Sequence, residues 1–254
     1  MDIAVLVKAV PSTTETPALG DDDRLRRDGE NVLDPGDEYG IEVALQIAET
    51  QGGTVTYVTM GPESATAALR KALAMGGDGS VHVVDPALAG ADALVTARVL
   101  AAALGRRPYD LILAGVESTD GYTGTVPTAV AELRGIPSVS FARKVEIEDG
   151  RLRVQRQTAA GYDVIECELP ALVTVTTAAA EPRYPTLKGI MQAKQKPLEM
   201  LSLLELGIDA SAAAASQRVE AVEAAPERAA GEVVVDDGSG AERIAGFLAD
   251  AGVI

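Results

Sequence analysis

Short, continuous apolar runs alternate with helix-type patterns in the first half of the chain, and this alternation most constrains its fold. The runs are residues 3–7, 54–58, 80–84 and 110–113. The helix-type patterns are residues 41–48, 61–75, 91–104 and 123–134. Runs of this length are typical of strands buried on both faces of a sheet. The alternation therefore predicts βαβ units and an α/β fold with a doubly wound, mostly parallel sheet.

Beyond residue 135 the pattern changes. Residues 144–147, 152–156, 164–169 and 172–175 have the composition of strands, with no helix pattern between them. We expect these strands to form an antiparallel meander or to add to the edge of the sheet.

The last fifty residues predict a separate arm. The sequence is alanine-rich and polar from residue 207 to 231 and is strand-like at 233–235. A final helix follows, with Ser239 and Glu242 spaced as a capping box. Its apolar stripe is formed by Ile244, Phe247, Leu248 and Ala251. We expect one domain over residues 1–200 and an extended arm over 201–254, whose stripe packs either on that domain or on a partner protein.

Composition excludes several functions. The net charge of −16 makes nucleic-acid binding improbable, because phosphate contacts need a basic face. No apolar run approaches the length of a membrane span, and the chain begins with strand residues instead of a basic leader, so we expect a cytoplasmic protein without membrane insertion. The single cysteine, Cys167, and the single histidine, His82, both lie in apolar strands, where a structural role is expected of each.

Residues 114–124 are the first candidate binding segment. They follow a predicted strand and precede a predicted helix, and ligands of open α/β sheets bind at such carboxyl ends. Glycines in the segment allow close backbone approach, and a helix beginning at Thr123 would offer free N–H groups to a phosphate. Asp120 would orient the loop or reach a ribose hydroxyl, although ordinary turn and cap chemistry explains it equally well. Residues 6–10, 34–37 and 60–61 would line the same crevice.

Residues 181–196 are the second candidate. They carry four basic residues and one acidic residue in an otherwise acidic chain, and two prolines stiffen their entry. Leu187, Ile190 and Met191 follow at helical spacing, with Lys194 and Lys196 behind them. This segment either docks on another protein or folds back on its own core.

Catalytic motifs are missing from the sequence. It contains no dinucleotide-binding glycine fingerprint, no P-loop lysine motif and no nucleophile-elbow serine. We therefore expect a protein without its own catalytic residues, which could still be redox-active if a bound flavin does the electronic work.

Several of these segments, in this order, resemble the electron transfer flavoprotein beta subunit. The pattern EPRYPTLKGIM at 181–191 is similar to the partner-recognition loop of that family. The resemblance includes Lys8, Asp34 with Pro35, and residues 60–62, 69–76, 114–133 and 169–173. It implies the adenine nucleotide alpha-hydrolase-like fold with added antiparallel strands and an extended arm that embraces the alpha subunit.

The resemblance also implies cofactors. The FAD would be shared with the alpha subunit, and the beta subunit would bind AMP, or a second FAD as in electron-bifurcating members. Carried over by position, the nucleotide contacts are Leu6, Asp34, Pro35, Gly36, Asp37, Met60, Gly115, Ser118, Asp120, Gly121, Thr123, Gly124, Thr125 and Val126. The chain departs from the AMP type at Gly121, Tyr122 and residues 124–126. Near the flavin, Ser12 and Thr13 replace the usual acidic and aromatic residues.

The implied function is electron transfer in a heterodimer. Electrons would pass from acyl-CoA dehydrogenases of fatty acid β-oxidation, and from other dehydrogenases, to a quinone oxidoreductase of the respiratory chain. Tyr184, Leu187, Ile190 and Met191 would contact the dehydrogenase, with Leu187 inserted. Two alternatives stay open: a bifurcating subunit that also binds NADH, and a universal-stress-type ATP-binding signalling protein.

Overall fold

The computed structural model describes residues 1–254 except 13, 15, 224–225, 227–230, 232 and 234. The strands are β1 (Asp2–Leu6), β2 (Ala9–Pro11), β3 (Asn31–Leu33), β4 (Thr54–Met60), β5 (Gly79–Val83), β6 (Leu111–Gly115), β7 (Ser138–Glu148), β8 (Arg151–Thr158), β9 (Gly161–Glu168), β10 (Ala171–Val175) and β11 (Leu198–Leu201). The α-helices are α1 (Pro35–Gln51), α2 (Thr66–Met75), α3 (Ala93–Leu104), α4 (Val126–Arg134), α5 (Leu187–Ala193) and α6 (Gly240–Asp250), and short 3-10 helices span Glu63–Ala65, Pro86–Leu88 and Ala210–Ala213.

One nine-stranded sheet organises the fold, in the order β11-β5-β4-β1-β6-β10-β7-β8-β9. Every pair from β11 to β7 is parallel, and β8 and β9 continue the sheet in antiparallel fashion. The predicted α/β class with added antiparallel strands is confirmed. The chain leaves β5 on one side of β1 and returns as β6 on the other, so a topological switch point lies between β1 and β6.

Alternate residues of the central strands bury against two helical layers. Ile3 and Val5 of β1 pack in the same cluster as Ile41 of α1 and Leu69 of α2. Ala4 lies in the opposite cluster, with residues of α3 and α4. Both faces of the sheet are therefore covered, which is why its strands read as continuous apolar runs.

The strand assignments after residue 135 need one correction. β7, β8 and β9 form the expected meander, but β10 returns to the parallel part and lies between β6 and β7. Strand composition could not reveal this, because β10 is recognised only through its pairing with residues about sixty positions earlier. The short strands β2, β3 and β11 were not predicted.

Helix α4 begins at Val126 and not at Thr123, so the predicted start was wrong. Pro127 stands in its first turn, where proline is favoured, and Gly124 is held at φ +59°, a left-handed conformation that a helix start at Thr123 would not permit. Val130 of this helix is buried, whereas Leu133 is 49% exposed.

The chain divides into two compact units, Met1–Val219 and Glu220–Ile254. The first unit extends beyond residue 200, because Leu201, Leu203 and Ala213 are buried in it. In the second unit, α6 has no buried residue. Within the described residues, none of the helices is both long and apolar enough to cross a membrane.

Two details of the arm differ from prediction. The Ser239 side chain accepts no capping bond from α6 and instead bonds Asp237, so the capping box does not form. Val233 and Val235 are not in a strand, and Val234, like Thr13, lies outside the described residues.

Candidate functional site

Three segments meet at the switch point, where β1 and β6 end. Lys8 follows β1, and its ammonium donates to Asp120 Oδ1 at 2.7 Å and to Ser118 Oγ at 3.1 Å in the loop after β6. Arg27, from the long loop between β2 and β3, donates to the other oxygen of Asp120. The Asp120 side chain is only 3% exposed. Its buried carboxylate therefore connects all three segments.

Asp34 ties the start of α1 to the same loop. Its Oδ1 accepts from the Gly36 N–H at 2.8 Å, which caps the helix. Its Oδ2 accepts from the Thr119 N–H at 2.7 Å and from the Thr119 hydroxyl at 3.2 Å. One fully buried carboxylate therefore fixes the helix and the loop relative to each other.

Asp37, one turn later, lies in a dry environment. Burial, and then the neighbouring charge of Asp34, raise the pKa of Asp37 well above its ordinary value. The Lys8 N–H donates to it at 2.7 Å, and a further backbone bond comes from Gly115. Gly115 is required for this packing, because an added Cβ would stand 2.9 Å from Asp37 Oδ1. Its small size serves the contact with α1 and not the approach of a ligand.

The charge of Asp120 is stabilised by its partners. Burial acts to raise the pKa of Asp120, but the hydrogen bond and charge of Lys8, the Ser118 hydroxyl and the charge of Arg27 together hold that pKa below its ordinary value. Both carboxylate oxygens are already engaged by cations. Asp120 therefore orients the loop through these two cations.

The start of α4 has the chemistry that suits a phosphate. The helix has no side-chain cap at Thr125 and no acidic residue in its first turn, so N–H groups remain available at its positive end. Thr123 and Thr125 are exposed beside Gly124, and an added Cβ on Gly124 would meet nothing within 3.6 Å. Thr123, Gly124, Thr125 and Val126 therefore surround a helix start that can donate hydrogen bonds to an anionic group.

The remaining predicted contacts differ in what they can offer. Leu6 is buried in the core, and the partly buried Met60 and Val126 pack against that core. Pro35 and Gly121 are exposed. Among the described residues, the contacts that tie the crevice together also come from Lys8, Arg27 and Thr119. A lysine directly after a buried strand was a usable signal, but nothing marked Arg27, which is 93 positions from its partner.

A cleft of about 670 Å³ opens beside this crevice. The loop between β2 and β3 supplies Ser12, Arg26 and Asp28 to its wall, and the loop after β6 supplies Asp120 and Tyr122. Ser12 is one of the positions that the resemblance places near the flavin. The cleft and the phosphate position at α4 thus share the loop that Asp120 organises.

The predicted docking residues lie together on α5 and its lead-in. Tyr184 is 92% exposed, Leu187 77% and Met191 65%, and Ile190 is also exposed. Thr186 begins the helix by accepting the Gly189 N–H at 3.0 Å. Lys196 does not belong to a basic surface, because its ammonium donates inward to the carbonyl oxygens of Leu73 and Gly76. We call Tyr184, Leu187, Ile190 and Met191 the apolar face of α5.

Sequence comparison connects this geometry to a family. Residues 24–206 match the family described as "Electron transfer flavoprotein domain". The electron transfer flavoprotein subunit beta of Mycobacterium tuberculosis is 42% identical over 258 residues, which cover 97% of this chain and 97% of the relative. That of Bacillus subtilis is 39% identical over 211 residues, covering 82% of each chain.

A further relative has a more specialised name. The caffeyl-CoA reductase-Etf complex subunit CarD of Acetobacterium woodii is 34% identical over 254 residues, covering 98% of this chain and 96% of the relative. The similarity to the Mycobacterium tuberculosis subunit and to CarD covers nearly the whole chain. The chain therefore belongs to the electron transfer flavoprotein family and is of its beta-subunit type.

Proposed function

We propose that this chain pairs with an alpha subunit to form a cytoplasmic electron carrier that holds FAD between the two subunits. The observation that carries the proposal is the apolar face of α5, a group of large side chains held in solvent by a structured segment. Exposed apolar groups of this kind are characteristic of protein-docking sites. An electron carrier needs such a face, because it must bind its donors and acceptors in turn.

The crevice would hold AMP. Its phosphate would lie at the uncapped start of α4, against Thr123, Gly124 and Thr125, while Lys8 and Arg27 keep Asp120 paired beneath the loop. The flavin would lie toward the neighbouring cleft, whose wall includes Ser12 and Tyr122. Bound FAD supplies the redox chemistry, and the residues of this chain bind and orient it.

The donors would be acyl-CoA dehydrogenases and other dehydrogenases, and the acceptor a membrane quinone oxidoreductase. The exposed stripe of α6 would pack on the alpha subunit, since burying Ile244 and Phe247 is favourable for any helix that is amphipathic. In this arrangement, α5 and α6 would serve different partners.

Leu187→Ala tests the docking role. We expect the variant heterodimer to keep its FAD but to raise the KM for electron transfer from an acyl-CoA dehydrogenase about tenfold, because truncating a central docking side chain costs about 1–3 kcal/mol. Leu204→Ala is a matched control, since Leu204 is 86% exposed on the turn after β11. Loss of flavin from Leu187→Ala, or an equal effect of both variants, would show that α5 is not a docking face.

A second candidate function is flavin-based bifurcation, in which the crevice holds a second FAD and the heterodimer oxidises NADH. The departure of the chain from the AMP type at Gly121, Tyr122 and residues 124–126 favours it. The two functions differ in the nucleotide that the crevice retains.

A further inference from the structure

The lead-in to α5 is anchored through one arginine. The Arg183 side chain donates to Glu42 at 2.7 and 3.0 Å and to Glu49 at 2.5 and 3.2 Å, and its backbone N–H donates to Glu42 at 3.2 Å. Glu42 and Glu49 are seven residues apart on α1 and so lie on one face of that helix. A single residue therefore spans two turns of α1.

Electrostatics makes this anchor stronger than an ordinary surface ion pair. Burial acts to raise the pKa of Glu42, but the hydrogen bonds from Arg183 and Gln46 hold it below its ordinary value. The Glu42 side chain is 5% exposed, so its charge depends on the guanidinium. Only arginine offers a planar fork of donors that can satisfy two carboxylates together.

The far end of the segment is fixed to α2. Arg70 of α2 donates to the carbonyl oxygens of Ala193 at 2.6 Å and Lys196 at 3.0 Å. Lys196 in turn donates to Leu73 at 2.9 Å and Gly76 at 3.2 Å, which satisfies the end of α2. A Cβ on Gly189 would collide with the Ala74 carbonyl oxygen, so α5 lies directly on the last turn of α2.

Between the two anchors, α5 packs on α2 through Gly189 and Ala193, but the side chains of its apolar face add little to that packing. Tyr184 follows Arg183 directly, and Leu187 opens the helix three residues later. Because the exposed side chains gain little from their own packing, their position depends on the anchors at either end. A docking face that is already ordered before its partner binds loses less conformational entropy on binding.

We propose that Arg183 is the positioning residue of the apolar face of α5: its fork onto Glu42 and Glu49 presents Leu187 to the redox partner in a preorganised position. The inference rests on the proposed docking role of Leu187. The guanidinium of Arg183 is turned toward α1 and bonds only Glu42 and Glu49 among the described residues.

The test uses Arg183→Gln in the full heterodimer, alone and combined with Leu187→Ala. We expect amide hydrogen exchange of residues 186–192 to rise at least about tenfold, because the lost bonds to charged groups are worth about 1.5–3 kcal/mol. The KM for an acyl-CoA dehydrogenase should rise about tenfold while FAD content is unchanged. In the Leu187→Ala background, Arg183→Gln should add little to the KM, because both changes remove the same presented side chain.

Glu49→Gln provides a second variant in case Arg183→Gln lowers the yield of folded protein. It weakens the outer half of the fork and leaves Glu42 paired, so we expect the same effects at smaller size. Arg106→Gln is the matched control. Arg106 pairs with Glu199 at 3.2 Å and makes no bond to α5 among the described residues, so this variant should change neither the hydrogen exchange nor the KM.

The outcomes separate this inference from the function on which it rests. Unchanged exchange at 186–192, or KM effects of Arg183→Gln and Leu187→Ala that multiply, would overturn the positioning role. If Leu187→Ala leaves the KM unchanged while Arg183→Gln raises exchange, the docking function fails and the preorganisation of a docking face fails with it. Raised exchange with a shared, non-additive KM effect establishes the proposal.

Discussion

Asp120 and Arg183 are single residues through which distant parts of the chain are joined. Asp120 binds cations that lie 112 and 93 positions away, and Arg183 binds carboxylates 141 and 134 positions away. Asp120 lies in the candidate segment 114–124 and Arg183 in the candidate segment 181–196. Neither segment identifies the residues that its member binds. No local pattern marks the second partner, because Glu42 and Glu49 read as ordinary polar positions of an amphipathic helix.

Tyr57 carries a different kind of residue-scale constraint. The ring is fully buried in the core beside Gly77, and among the described residues its hydroxyl has no hydrogen-bond partner. Burial, and then the nearby charge of Asp78, raise the pKa of this phenol above its ordinary value. An unpaired buried hydroxyl costs free energy, whereas the ring itself stabilises the core.

Tyr57→Phe should therefore leave the free energy of unfolding unchanged or raise it by up to about 1 kcal/mol, because it removes only the unpaired group. Urea denaturation followed by circular dichroism measures the change. Tyr109→Phe is the control. The Tyr109 hydroxyl accepts a hydrogen bond from Arg107 at 2.5 Å, so removing it should lower the free energy of unfolding. A loss above about 1 kcal/mol for Tyr57→Phe would show that the hydroxyl is paired in solution.

At the scale of elements, periodicity located most strands and helices but not their partners. The runs at 3–7, 54–58 and 80–84 became β1, β4 and β5 within two residues at either end. The position of β10 was missed, because strand order depends on pairing between residues far apart in sequence. The start of α4 was missed because Gly124 adopts a left-handed conformation and Pro127 stands in the first turn of the helix.

Asp92 joins two elements of the first unit. Its side chain caps α3 by accepting the Val95 N–H at 2.9 Å, and its other oxygen accepts from the Ser216 N–H at 2.7 Å and hydroxyl at 2.8 Å. These bonds, led by those from Val95 and Ser216, lower the pKa of Asp92 to about 2. The segment that ends the first unit is thereby attached to the sheet domain.

Asp92→Ala should lower the free energy of unfolding by about 1 kcal/mol, the ordinary value of a lost helix cap. Because the pKa is below 3.8 in the folded chain, the contribution is present above pH 4 and is lost as pH falls toward 2. Chemical denaturation of both proteins between pH 7 and pH 3 should therefore show the difference shrinking with acidity. A difference that is constant across this range would contradict the assignment.

At the scale of the whole molecule, the chain separates a core from the surfaces that meet partners. All buried hydrophobic residues of the described chain lie at or before Ala213, whereas α6 has no buried residue. The core of the first unit is thus formed without buried hydrophobic residues from the described part of residues 220–254. This division suits a subunit whose arm is completed by another protein.

Ending the chain at Val219 tests this division. We expect the melting temperature of the shortened chain to lie within about 2 °C of that of the full chain. A change of about 1 kcal/mol in the free energy of unfolding shifts the melting temperature of a domain of this size by about 2–4 °C. Its affinity for the alpha subunit, measured by calorimetry, should fall at least about tenfold, because the stripe of α6 is lost. A large drop in melting temperature would instead show that the arm completes the core of the sheet domain.

The central claim is that this chain forms a flavin-carrying heterodimer with a nucleotide in the crevice between β1 and β6. The most direct measurement is to co-express it with an alpha subunit, denature the purified complex, and identify the released nucleotides by mass spectrometry. We predict one FAD and one AMP per heterodimer. Two FAD and no AMP would move the chain to the bifurcating type, and the absence of both complex and flavin would contradict the account.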